Sequence, residues 1–241
     1  MNKNQKGRVL ACTDLHGRYD LYLKIKEFLK PEDKVIFLGD AIDRGPHSWR
    51  LMKAILADDQ WEYLCGNHED IFAKAILEYD EGCDNEYYME LVMNGGDGTF
   101  TSWLNEGAYI EWANVFRKLP HYTHYFNKDG FWIMLSHAGF TPIKGEDGEI
   151  YIPNRRDCLW NRSHFDDEWD EENFSDVIVV HGHTPIPYQL FTSDEQINRW
   201  NDPGAHYYCN NHKINLDCGA CWIKATVLLD LDTFDEFIFT A

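Results

Sequence analysis

The sequence predicts an α/β fold, and three observations point to it. Short apolar, β-branched runs at residues 8–12, 35–38 and 61–65 alternate with stretches whose apolar residues recur at helical spacing. The second half is rich in strand-like runs. Several of these runs end in a residue able to ligate a metal, and in open α/β sheets ligands gather outside the carboxyl ends of the strands. With 241 residues, 28.3 kDa and 44% hydrophobic content the chain can bury a substantial core, and nothing in it resembles a linker. A single domain over residues 1–241 is expected.

Residues 8–12 (RVLAC) form the first strand, which runs into Thr13, Asp14, Leu15, His16 and Gly17. In an extended segment Asp14 and His16 would project to the same side. Leu21, Ile25, Phe28 and Leu29 then keep helical spacing, and Pro31 stops the helix. Val35–Leu38 is a buried strand, Gly39 lets the chain turn, and Asp40 emerges at the strand end. Asp43, Arg44 and Gly45 follow in the same loop. Two carboxylates and a guanidinium in so small a volume suit a site for a cation and a phosphate; the plain alternative is a structural Asp–Arg pair in a turn.

Leu51, Met52, Ile55 and Leu56 repeat the helical pattern, and residues 61–65 (WEYLC) repeat the strand pattern. Gly66, Asn67, His68 and Glu69 sit where that strand gives way to helix. Residues 70–119 read as helix in several pieces, broken at Asn94–Gly98 (NGGDG) by an interhelical turn or an anion cradle. Strands follow at 121–126 and 131–136, the second delivering His137. Gly145–Gly148 is a turn signal. Residues 177–180 (VIVV) lead into His181, Gly182 and His183. Residues 192–212 are polar and irregular, a rim or lid. Strands at 213–217, 222–229 and 236–240 close the chain, the last two joined by a turn around Asp232–Asp235.

The formal charge of −19 excludes a broad nucleic-acid-binding face, which needs clustered Lys and Arg. No apolar run reaches the ~18 residues of a membrane span, and MNKNQKGRVL has no signal-peptide core. A cytoplasmic location is expected. Seven scattered cysteines, an odd number, fit reduced thiols better than a disulfide framework. The acidic run Asp166–Glu172 reads as solvated surface.

Five strand-like runs thus end in Asp14 and His16, Asp40, Asn67, His137 and His183. Two Asp, three His and one Asn side chain exceed one tetrahedral ion and suit two divalent ions bridged by Asp40. Oxygen and imidazole ligands favour Mn, with Fe or Zn as alternatives. Two such ions can lower the pKa of a shared hydroxide for in-line attack on phosphorus.

The blocks TDLHG (13–17), GDAIDRG (39–45), GNHE (66–69), SHAG (136–139) and HGHTP (181–185) resemble the signature blocks of the calcineurin-like metallophosphoesterases, phosphoprotein-phosphatase branch. WNR (160–162), NGG (94–96) and LDCGA (216–220) add resemblance to the compact phage and bacterial serine/threonine phosphatases. Thr13 stands where relatives usually have Gly. The resemblance implies a central β-sandwich of mixed sheets flanked by helices. It implies that Asp14, His16, Asp40 and His183 hold one metal, and Asp40, Asn67 and His137 the second. It further implies that Arg44 and Arg162 clamp phosphate, and that His68 is the general acid oriented by Asp43. The implied reaction is hydrolysis of phosphomonoesters, above all phosphoserine and phosphothreonine in proteins, or of another small phosphoester. The oligomeric state is left open, with a monomer as the default.

Two other functions compete: a dinucleoside tetraphosphate hydrolase with the same blocks, and a metal-binding scaffold without catalysis. His181 lies two positions from His183 and is an alternative ligand or a support for it. His206, Cys209, His212, Cys218 and Cys221 form a Cys/His group of irregular spacing, a candidate zinc site weaker than the explanation of Cys218–Cys221 as core strand.

Overall fold

Alternate residues of the central strands face different layers, and this period of two builds the molecule. The computed structural model describes residues 6–80, 86–106, 108–190 and 193–241. In chain order the elements begin with β1 (Val9–Cys12), α1 (Tyr19–Phe28), β2 (Lys34–Phe37), α2 (Ser48–Leu56) and β3 (Trp61–Tyr63). Four helices follow: α3 (Asn67–Asp80), α4 (Glu86–Met93), α5 (Asp97–Glu106) and α6 (Tyr109–Lys118). Then come β4 (Tyr122–Phe126), β5 (Trp132–Ser136), the ribbon β6 (Ile143–Lys144) and β7 (Ile150–Tyr151), α7 (Arg155–Trp160), α8 (Glu171–Phe174) and β8 (Val177–His181). The chain closes with α9 (Ile186–Gln189), α10 (Ser193–Asn201), β9 (His206–Tyr208), β10 (Lys213–Asn215), α11 (Ala220–Ile223), β11 (Ala225–Asp230) and β12 (Glu236–Thr240).

Two five-stranded mixed sheets result, in the orders β12-β11-β1-β2-β3 and β4-β5-β8-β10-β9. Strands β1, β2 and β3 run parallel, as do β5, β8 and β10, so within each sheet the carboxyl ends of these strands share one edge. Leu10, Cys12, Val35 and Phe37 face a core shared with α1, α2, α3 and α6. Their neighbours Val9, Ala11, Ile36 and Leu38 face the other way, against Ile133, Leu135, Ile178 and Val180 of the second sheet. Met134, Val177 and Val179 cover the outer side of that sheet with Phe140 and Phe174. Burial of each such side chain contributes roughly 1.5–3 kcal/mol, which fixes the register because a one-residue slip would invert every face.

The α/β architecture, the parallel units and the turn after β11 agree with the sequence reading. Three details differ. Residues 193–201 and 206–208 are helix and strand rather than an irregular rim, because α10 leans on α9 and β9 pairs with β10. Residues 220–223 are a short helix rather than part of a strand, bounded by left-handed backbone at Gly219 (φ 78°) and Lys224 (φ 56°). Asp14 and His16 are not extended: both take positive φ, 51° and 39°. Cys83 lies outside the described residues; Cys12, Cys65, Cys158, Cys209, Cys218 and Cys221 are free thiols.

Candidate metal and phosphate site

Six of the ten candidate site residues hold left-handed backbone: Asp14, His16, Asp40, Asp43, Arg44 and His183, with φ between 39° and 69°. For residues with a Cβ each such conformation costs about 1–3 kcal/mol, and it persists where the surroundings over-determine it. Here backbone hydrogen bonds between the loops do so. Asp14 N–H donates to Gly39 O (3.1 Å), His16 N–H to Asp40 O (2.9 Å) and Gly17 N–H to Ala41 O (2.7 Å). Gly182 N–H donates to His137 O at 2.8 Å, joining the loops after β8 and β5. A Cβ on Gly39 (φ 100°) would lie 2.4 Å from Gly66 N, so only glycine lets the loops after β2 and β3 touch.

These loops bring the carboxylate of Asp40 to the centre. Its Oδ2 lies 3.6 Å from His16 Nε2, 3.5 Å from His137 Nε2 and 3.7 Å from His68 Nε2. Asp14 Oδ1 is 3.8 Å from His16 Nε2. On the other side Asn67 Oδ1 is 2.8 Å from His137 Nε2 and 3.0 Å from His183 Nδ1, and the two imidazole nitrogens are 3.2 Å apart. His183 therefore groups by its ring with Asn67 and His137. The resemblance implied a place for His183 with Asp14 and His16; towards Asp14 it is the His183 backbone N–H that donates, to Oδ2 at 3.0 Å. His181 turns away, with Nε2 2.7 Å from the Tyr208 hydroxyl, which is itself 3.1 Å from His164 Nδ1.

The donor chemistry fits divalent cations. His16 Nδ1–H donates to Ile42 O (2.7 Å) and His137 Nδ1–H to Leu38 O (2.9 Å), so both Nε2 lone pairs aim into the cluster. His183 Nε2 is buried without a protein partner, as is Asp43 Oδ1. Burial pushes the imidazoles of His16, His68 and His183 well below the usual histidine range and keeps them neutral, the ligand form. Burial and the neighbouring charges of Asp14 and Glu69 push Asp40 well above the usual carboxylate range. Carboxylates so crowded favour a bound cation that relieves their repulsion. Among the described residues the three-ligand groupings are His16, Asp40 and His68, and Asp14, Asp40 and His137. None of the three-ligand groupings among the described residues includes His206, Cys209, His212, Cys218 or Cys221; His212 bonds Val177 O and lies against Glu171, Cys209 bonds Asp167 O, and Cys218 bonds Gly204 O.

His68 and the two arginines border the cluster. His68 Nδ1 is 2.7 Å from Asp43 Oδ2, and Asp43 is pushed up to about 7 by burial, against the opposing hydrogen bond from Thr99 and the Arg44 charge. Arg44 donates from Nη1 to His16 Nε2 and from Nη2 to His68 Nε2, both at 2.8 Å. The NGG turn between α4 and α5 is an interhelical turn that accepts the Arg44 N–H at Gly95 O (3.1 Å). Arg162, after α7, donates from Nε to Thr184 Oγ1 (3.1 Å).

Sequence reasoning left several contributors without a role. Glu69 accepts from Asp40 N (2.8 Å), Ala41 N (3.0 Å), Gly66 N (2.9 Å) and the Tyr63 hydroxyl (2.7 Å), tying the loops after β2 and β3 together. Its signal was its place in GNHE. Thr13 Oγ1 donates to Asp14 Oδ2 (2.5 Å), so the departure from Gly supplies a hydrogen bond to a candidate ligand. Asp217 is buried near Asp14, and burial and that charge push its carboxyl well up.

The chain is similar in fold to a proposed diadenosine tetraphosphatase, with TM-score 0.57 and 16% identity over 98% of this chain and 94% of that one. It is similar to a serine/threonine phosphatase from Saccharomyces cerevisiae, with TM-score 0.54 and 14% identity over 100% and 82%. It is also similar to a cold-active protein-tyrosine phosphatase from a psychrophilic Shewanella, with TM-score 0.55 and 16% identity over 96% and 77%. At these identities the likeness is one of fold. Residues 7–216 match the model of the calcineurin-like phosphoesterases, and the chain belongs to that family of metal-dependent phosphoester hydrolases.

Proposed function

We propose that this single-domain protein is a cytoplasmic phosphomonoesterase that uses two divalent ions, Mn by preference, on phosphoserine and phosphothreonine in proteins. The observation that carries the reading is the Asp40 carboxylate set between two groups of inward-facing donors, with a His68–Asp43 pair 2.7 Å apart beside it. Asp14, His16 and Asp40 would hold one ion. Asp40, Asn67, His137 and His183 would hold the other.

Such ions, when bound, polarise phosphoryl oxygens and lower the pKa of water so that hydroxide is available near neutral pH. The remaining work falls to side chains. Arg44 and Arg162 present planar forks that match phosphoryl oxygens and orient the phosphorus for in-line displacement. When the Arg44 fork turns to phosphate, the contact that occupies His68 Nε2 is withdrawn together with one of the charges that depress it, so Nε2 can take up a proton from water. The imidazolium then gives that proton to the departing serine or threonine alkoxide and returns to the neutral form. Asp43 accepts from His68 Nδ1–H and holds the ring in that orientation. A positioned acid of this kind contributes about 10²–10⁴-fold in rate.

The test combines elemental analysis with a substrate panel of phosphoserine and phosphothreonine peptides, an aryl phosphate and diadenosine tetraphosphate. Two metal ions per chain and preferred turnover of the peptides support the reading. Preferred cleavage of diadenosine tetraphosphate would overturn the substrate, and no turnover of any compound by metal-replete protein would overturn catalysis.

A further inference from the structure

Beside the clamp residue Arg44 stands an aromatic group that the reaction above does not use. Arg44 Cζ lies over the Trp222 ring, 5.5 Å from its centroid. Trp222 belongs to α11 and meets Trp200 of α10 edge-on at 5.8 Å and 83°, and Tyr188 of α9 at 6.2 Å and 83°. Tyr188 and Trp200 meet each other at 5.6 Å and 84°. Three mutually perpendicular rings lock one another, because each offers a positive edge to a negative face.

Gly219 seats the group. A Cβ there would lie 2.7 Å from Trp200 Cζ3 and 3.0 Å from Trp222 Cε3, and its φ of 78° suits glycine. Gly219 N–H in turn donates to Asp217 Oδ1 at 2.9 Å, so the indoles rest on the loop that carries Asp217, a buried acid that feels the charge of Asp14. Trp222 nevertheless keeps 49% of its surface exposed and Tyr188 66%. An exposed tryptophan held this firmly beside a guanidinium calls for an explanation other than core packing.

We propose that Trp222 is a positioning residue: its indole face holds the Arg44 guanidinium by a cation–π contact and so presents the fork to phosphate. This rests on the assignment of Arg44 as a phosphate clamp. Arg44 is anchored at its backbone N–H, which donates to Gly95 O, and at Nε, which donates to Asn94 O (3.4 Å), while Nη1 and Nη2 rest on His16 and His68 at 2.8 Å. When the fork leaves those imidazoles for a phosphate it has rotamers to lose, and a ring that stays over the guanidinium carbon removes part of that cost. The contribution appears in phosphate affinity rather than in the chemical step.

The experiment measures binding of inorganic phosphate to Mn-loaded protein by calorimetry, with KM and kcat on a phosphoserine peptide alongside. Trp222→Ala should weaken phosphate binding and raise KM by about three- to tenfold, the size of a partly exposed cation–π contact, with kcat and metal content near wild type. Trp222→Phe should restore most of the loss, and Trp222→Leu should not. In an Arg44→Ala background Trp222→Ala should have no further effect on phosphate binding. Rescue by Leu as good as by Phe, unchanged phosphate affinity in Trp222→Ala, or additive losses in the double variant would each overturn the proposal. Calorimetry reads the clamp without turnover, so a protein that binds phosphate in this pattern but hydrolyses nothing would overturn the phosphatase reading alone.

Discussion

His68 Nδ1 and Asp43 Oδ2 lie 2.7 Å apart, although one residue opens the helix after β3 and the other sits in the loop after β2. Asp40 Oδ1 also accepts the backbone N–H of His68 (3.1 Å), so the candidate acid is held by both carboxylates of the GDAIDRG block. Replacing His68 by Asn should lower turnover of alkyl phosphates by about 10²–10⁴-fold. An aryl phosphate, whose leaving group needs no proton, should lose far less, and bound metal should stay near two ions. Equal losses on both substrates would remove the acid role.

Asp40 touches both donor groups, so its replacement acts on the metals before it acts on rate. Asp40→Asn should lower metal content after dialysis against a dilute chelator, whereas His68→Asn should retain it. Plasma emission analysis of the two variants side by side gives the answer; equal metal content would argue against a bridging carboxylate.

Glu69 holds four donors and touches no candidate ligand side chain in the hydrogen-bond network. Glu69→Ala leaves three buried backbone N–H groups and one hydroxyl unpaired, a cost of about 4 kcal/mol even at the low end of roughly 1 kcal/mol for each group. In a chain of this length that is a fall of roughly 8–16 °C in unfolding midpoint. A scan showing no change in midpoint would mean that water replaces the carboxylate.

Asp33 lies far from the site and sets a pH dependence of stability. Burial raises its carboxyl, but bonds from Arg8 Nη2 (2.6 Å) and from the backbone N–H groups of Lys30 and Arg8 outweigh burial and hold it below the usual range. Its stabilisation is therefore complete above an unfolded value of about 3.9 and is lost as pH falls through the lower folded value. Urea unfolding of wild type and Asp33→Asn should differ by a constant amount from pH 7 to about pH 5, with the gap narrowing below about pH 4. A gap that persists unchanged at pH 3 would contradict this.

Local pattern carried a large part of the molecule. The unbroken apolar runs Val9–Cys12 and Val35–Leu38 read as short strands, and the structure buries both faces of each, one against helices and one against the second sheet. Glycine turns marked the ends of those strands, and with them Asp14, His16 and Asp40.

The chain by itself determined which residues could ligate and where along the strands they stand, because side-chain chemistry and short-range periodicity are local properties. Tertiary structure decided their grouping. His183 joins Asn67 and His137 through hydrogen bonds spanning 116 and 46 positions, and left-handed turns, not strand alternation, aim Asp14 and His16. Trp222 meets Arg44 only because α11 folds back onto the site across 178 positions of sequence, 222 minus 44. No periodicity records such a meeting, since it depends on the packing of two sheets whose relative placement is set by the whole core.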